Sequence, residues 1–237
     1  MHEEHAFNWL SFLPGFGEHN AHVYSAVLVA ILLVVMTWVA RVQLLRVMQV
    51  EDGGLIPESK LTFRNFFEII AENLYKLTEM VMGEHEAAHY FPAIGTLFLF
   101  IFTSNLVGLI PGFLPPTDNL NTTLALGIFV FVYYNYIGLK THGIGYLKHF
   151  LGPLLWLAPL MLVIEIASHV FRPISLAFRL RGNIMGDHVV LHVFSDLVPV
   201  LLPVVFYGLG VFVAFIQAFV FCLMTMVYIS LSTAHDH

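Results

Sequence analysis

The sequence predicts an all-α integral membrane protein with three upright transmembrane helices, one amphipathic surface helix and a long tilted two-helix hairpin. Three observations carry this. Charged residues make up 11% of the chain and hydrophobic residues 58%, whereas soluble domains carry about 25% charged residues. Apolar runs long enough to cross the ~30 Å hydrocarbon layer recur along the chain. The last two runs are longer than an upright crossing needs. Residues 1–22 then form an external tail and residues 23–237 a single membrane domain. The lone Cys222 excludes a disulfide framework. The absence of a basic stripe argues against nucleic acid as a partner.

The tail holds four His and three Glu and no Lys or Arg. It does not read as a signal or transit peptide, and its irregular spacing favours a solvated acidic segment over a metal site. The first span covers about 23–42. Arg41, Arg46, Lys60, Arg64 and Lys76 follow it, so the positive-inside rule places the N-terminus outside. Glu51–Pro57 reads as a loop. Over 59–82, Phe63, Phe66, Phe67, Ile70, Leu74, Leu77 and Val81 recur at helical spacing, with Arg64, Glu68, Glu72, Lys76 and Glu79 mostly opposite. Such a helix lies on the membrane surface or packs on a partner helix; the first is favoured here. Gly83–His89 reads as a polar connector, and His85 and His89 at i,i+4 lack a third ligand.

The second span covers 91–110, with Pro92 in its first turn. Pro111–Asp118 is an external loop and 119–139 the third span. Asp118, Asn119, Asn121, Thr122 and Thr123 at its start can cap the helix or hydrate the mouth of a pathway. Lys140, His142, Lys148 and His149 return the chain to the cytoplasm. The hairpin takes 154–193 and 200–231, joined by a turn at Ser195–Pro199. A kink is expected at Pro173, and the C-terminus falls in the cytoplasm.

The stretch Glu165–His188 carries Glu165, Arg172, Arg179, Arg181, Asp187 and His188 inside an apolar run. A charge at the bilayer centre costs at least ~2.5–3.5 kcal/mol, so it normally faces a cavity, a partner or a pathway. The blander reading, arginines snorkelling to headgroups, suits Arg172 better than Arg179. On a helical projection, Glu165, Arg172, Ser175, Arg179 and Asn183 share one stripe. Asp187 lies about 80° from Arg179, His188 about 180°, and Arg181 about 200°. Imidazole exchanges protons near neutral pH, whereas a guanidinium never gives its proton up. A carboxylate passing Arg179 would therefore be driven to ionise.

Pro173-Ile-Ser-Leu-Ala-Phe-Arg-Leu-Arg-Gly-Asn183 resembles the signature of subunit a of F-type ATP synthase, the stator of the membrane proton channel. Ile216–Phe219, Met226–Ser230, Asp118–Thr123 and the turn around Gly143 are also similar, so the resemblance spans nearly the whole chain. It implies that Arg179 is the essential rotor-facing cation. Asn183 and Gln217 match polar residues beside it, and Glu165 and Ser175 match proton-path residues. His188 takes a position often held by an acid. The matching position on the last helix is Gly210, so Asp187 is a candidate for the missing acid. Arg181 departs from the large apolar residue usual at its position.

The resemblance further implies a proton-translocating, non-catalytic subunit with two half-channels. Its partners would be the subunit c ring, the subunit b peripheral stalk and the lipid bilayer, with no nucleotide, cofactor or metal bound directly. A proton would enter near Asp118, Glu165 and His188, ride the ring and leave past Arg179. A bacterial inner membrane is the expected location. The alternatives are a small secondary transporter or channel for an anionic or metal solute, and a purely structural membrane subunit. The absence of internal repeats counts against the transporter. Only the stator needs a ring to move protons.

Overall fold

The structure, a computed structural model, describes residues 20–48, 62–110, 112–143, 146, 158–197 and 201–233. Among them are six α-helices and one short 3₁₀ turn, and no strand. They are α1 (Ala21–Met48), α2 (Phe63–Met82), α3 (Glu84–Gly108), the turn Pro116–Asp118, α4 (Leu120–His142), α5 (Ala158–Leu197) and α6 (Leu201–Thr233). All but α2 are long and apolar enough to cross a membrane. The protein is a multi-pass α-helical membrane protein. The N-terminal tail to residue 19, the Glu51–Pro57 loop, Lys148, His149 and residues 154–157 lie outside the described residues.

The sequence placed several boundaries differently. The segment read as a connector is helical: α3 starts at Glu84, seven residues before the expected span. Gly83 alone breaks the chain, with φ at 87° in the left-handed region that favours glycine. Glu84 and Glu86 then sit at the positive end of the α3 dipole. Pro92 is consequently inside α3 and not in its first turn. Ser195–Leu197, read as part of a turn, belongs to α5. Arg64, grouped in the sequence with the residues mostly opposite the apolar stripe, is buried, with Nε 2.6 Å from Glu68 Oε1.

α2 is capped by Thr62, whose side chain accepts from the Asn65 amide. Of the two placements the sequence left open, the structure shows packing on a partner helix, α3. Leu74 is buried, and Ile70, Leu77 and Val81 pack against the core beside α3, while Phe66, Ile69 and Met80 stay exposed. One stripe of the helix serves the protein and the flank remains free for lipid.

α5 has 40 residues and α6 has 33, so at ~1.5 Å per residue they run about 60 and 50 Å. Both exceed the ~30 Å hydrocarbon layer, so they cross obliquely or emerge from it. α4 packs along α5, and α3 packs along α6. Ile94, Ile101, Tyr134, Leu180, Met226 and Ile229 form the fully or almost fully buried centre of the cluster between these helices. α4 and α5 lie close together at Gly127. A Cβ there would stand 2.6 Å from the Pro173 carbonyl oxygen, so only glycine admits that crossing.

Candidate functional site

Arg179 lies in the middle of α5, on a face that it shares with Ser175 and Asn183; all three are exposed. The surrounding surface is apolar, with Phe178 on α5 and Phe212, Phe215 and Ile216 on α6 exposed as well. Among the described residues the Arg179 guanidinium forms no ion pair. Its backbone, however, is held. Gln217 on α6, 5% exposed, donates from Nε2 to the Arg179 carbonyl at 2.7 Å. The Gln217 Oε1 accepts from Asn183 Nδ2 at 2.9 Å. The sequence grouped Arg179, Asn183 and Gln217, and all three meet in space.

A second set of polar groups lies further along α5. Arg181 donates from Nε to the backbone carbonyl of Asp118 at 3.0 Å, tying α5 to the 3₁₀ turn. Asn119 caps α4 by accepting from the Asn121 amide at 2.9 Å. Asp187 is half-buried and lines a cavity of about 20 Å³ with Asn105, Gly210 and Gln217. That volume admits about one water. Asp187 thus borders Gly210, the position where the sequence left an acid missing. The buried Asn105 and Thr117, which the sequence did not single out, bond to each other at 2.9 Å. The His188 side chain lies outside the described part of the structure.

Glu165 corrects the expected grouping. It does not adjoin Asp118, because Asp118 meets Arg181, sixteen residues and about 24 Å along the helix from Glu165. Glu165 instead lines a cleft of about 140 Å³ with Tyr134, Tyr146, His169, Arg172, Tyr228 and Ser232. Arg172 is also corrected from a headgroup-seeking role. Its Nη2 is 3.9 Å from Glu165 Oε1 and its guanidinium carbon is 5.3 Å from the Tyr228 ring centre. His169 Nδ1 is 3.3 Å from Glu165 Oε1. Burial pushes the Tyr146 phenol up, which keeps it a donor to Asn135 Oδ1, 3.1 Å away.

Sequence reasoning missed His169, Tyr134 and Tyr228. A weak signal existed: Glu165 and His169 are at i,i+4 and so face one another. Nothing local indicated that α4 and α6 would roof them with aromatic rings.

The fold and site together define a multi-pass helical protein. A cation stands on its outer apolar face, and two polar clusters lie on either side of it along α5. A sequence profile described as ATP synthase A chain matches residues 22–230. The chain is 46% identical to ATP synthase subunit a of Bdellovibrio bacteriovorus over 233 residues, 98% of this chain and 100% of that protein. It is 46% identical to the subunit a of Trichlorobacter lovleyi over 235 residues, covering 98% and 99%. The Geobacter sulfurreducens subunit a is 48% identical over 203 residues, covering 84% and 87%. The chain belongs to the ATP synthase A chain family.

Proposed function

We propose that this chain is the membrane stator subunit of an F-type ATP synthase and couples proton movement to rotation of a ring of subunit c. One observation carries the reading: Arg179 is an exposed cation midway along a membrane-spanning helix, surrounded by apolar side chains. A charge so placed is expensive in lipid and is relieved by an anionic neighbour. A ring carboxylate supplies that neighbour. Protonated, it enters lipid at low cost; beside Arg179 it is driven to ionise.

The two polar clusters are then the two half-paths. Asp118, Asn105, Asp187 and His188 belong to one, and Glu165 with its cleft to the other. Ser175, Asn183 and Gln217 flank the rotor-facing centre. Lys140 and His142 end α4 on the Glu165 side, so that side is cytoplasmic and the Asp118 side external. The N-terminus is then outside and the C-terminus inside, in a bacterial inner membrane. Subunit b of the peripheral stalk is the second partner. Nucleotide chemistry resides in other subunits of the complex. Each charge that crosses 100 mV releases about 2.3 kcal/mol.

The test uses the complex reconstituted in vesicles. Arg179→Ala is expected to abolish proton-driven ATP synthesis while the complex still assembles. Arg179→Lys fails too, because an ammonium does not replace the planar, permanently charged guanidinium. Full synthesis by assembled Arg179→Ala overturns the reading. Proton flux through this chain without any ring would favour a self-contained transporter instead.

A further inference from the structure

The buried histidine in the Glu165 cleft has no role in the scheme above. His169 is 8% exposed and lies ten residues before Arg179, about 15 Å along α5. Most buried histidines only fill space. This one has a carboxylate 3.3 Å from Nδ1 and lines a cleft of about 140 Å³, room for several waters. A second group in the same cleft also calls for water. The Tyr134 hydroxyl is buried there beside the Arg172 guanidinium. A hydroxyl both donates and accepts whereas a guanidinium only donates, and water in a polar cleft meets the need that is left.

Every element around His169 contributes a face. α4 brings Phe131 and Tyr134, with ring centres 6.4 and 6.0 Å from the imidazole. Tyr146 comes from the chain after α4, and Tyr228 and Ser232 from α6. α5 itself brings Glu165 and Arg172. Among these, a guanidinium does not release its proton and a phenol stays protonated near neutral pH. Imidazole is the one group whose unperturbed titration falls in the neutral range. The Glu165 carboxylate and the Arg172 guanidinium are the two charged groups that face it. Arg172 and His169 adjoin one carboxylate, Arg172 Nη2 at 3.9 Å and His169 Nδ1 at 3.3 Å from Glu165 Oε1, and the Arg172 guanidinium carbon lies 5.3 Å from the Tyr228 ring centre.

We propose that His169 is a proton-carrying residue of the half-path on the Glu165 side of Arg179. This rests on the rotor-facing reading of Arg179. A proton arriving on a cleft water as hydronium passes to the neutral imidazole: one O–H bond breaks, one N–H bond forms and neutral water is left. That N–H bond then breaks as the proton forms an O–H bond on the Glu165 carboxylate or on another water, restoring neutral imidazole. No electron is transferred.

The experiment measures ring-dependent proton flux in vesicles holding the whole complex, while the pH on the Glu165 side is varied. His169→Gln is expected to lower flux several-fold and to remove one titration step between about pH 5 and 8. Glu165→Gln, with His169 intact, is expected to move that step to lower pH. Arg172→Met moves it to higher pH. An assembled His169→Gln complex whose curve superimposes on the parent overturns the proposal. Where His169→Gln does not assemble, a step that stays fixed in both Glu165→Gln and Arg172→Met overturns it. Full ATP synthesis by the assembled Arg179→Ala complex sinks the underlying reading instead, so the two failures are separable.

Discussion

Gln217 on α6 donates to the backbone carbonyl of Arg179 at 2.7 Å and accepts from Asn183 at 2.9 Å. One buried amide thus fixes the height and rotation of the arginine relative to the neighbouring helix. It does so through the backbone, leaving the guanidinium uncommitted.

Removing that amide loosens the arrangement without removing the cation. Gln217→Leu loses two hydrogen bonds, each contributing ~0.5–1.5 kcal/mol, so a loss of about 1–3 kcal/mol is expected. Thermal unfolding of the detergent-solubilised chain measures it. ATP-driven proton pumping is expected to fall more steeply than assembly. Unchanged pumping would mean that the positioning of Arg179 does not depend on α6.

The α4–α5 crossing makes a prediction about packing. Gly127→Ala places a methyl group 2.6 Å from the Pro173 carbonyl oxygen, and overpacking of this kind costs ~1–3 kcal/mol. Gly208 in α6 is the control, because a Cβ there meets nothing within 4 Å. Gly208→Ala is expected to stabilise its helix by ~0.5–1 kcal/mol. Equal effects at the two positions would show that the crossing is not tight.

Arg181 and Asp118 separate a side-chain contact from a backbone one. The guanidinium bonds to the Asp118 carbonyl, not to its carboxylate. Asp118→Asn is therefore expected to leave the tie intact. Arg181→Ala breaks it, at ~1.5–3 kcal/mol for a hydrogen bond from a charged donor. Limited proteolysis of the 112–119 segment reads the difference: faster cleavage in Arg181→Ala, parental cleavage in Asp118→Asn.

Asp187 borders Gly210 and Gln217 in the small cavity. If it supplies the acid of that half-path, Asp187→Asn lowers proton flux several-fold in an assembled complex. Gly210→Asp in the same background would restore part of it. Parental flux in Asp187→Asn removes the residue from the path.

Much of this was legible in the sequence because membranes punish misplaced charge. Arg179 stood out through its cost, and its partners Asn183 and Gln217 followed from the motif. The helices that cross were visible as apolar runs. The start of α3 was not, since the whole break rests on Gly83 and a run of polar residues after it reads as a connector. Arg172, His169 and Glu165 were also illegible as a cluster. Their environment is built by Tyr134 and Tyr228, which come from two other helices. Glu165 was placed at the wrong end because a projection records angle around the helix and says little about height. Height decides which side of Arg179 a group serves.

The uncovered Arg179 also bears on how such a chain survives before assembly. A newly inserted α5 would pull water and headgroups inward around its guanidinium, thinning the surrounding lipid. A solitary copy therefore carries a built-in mark of incompleteness.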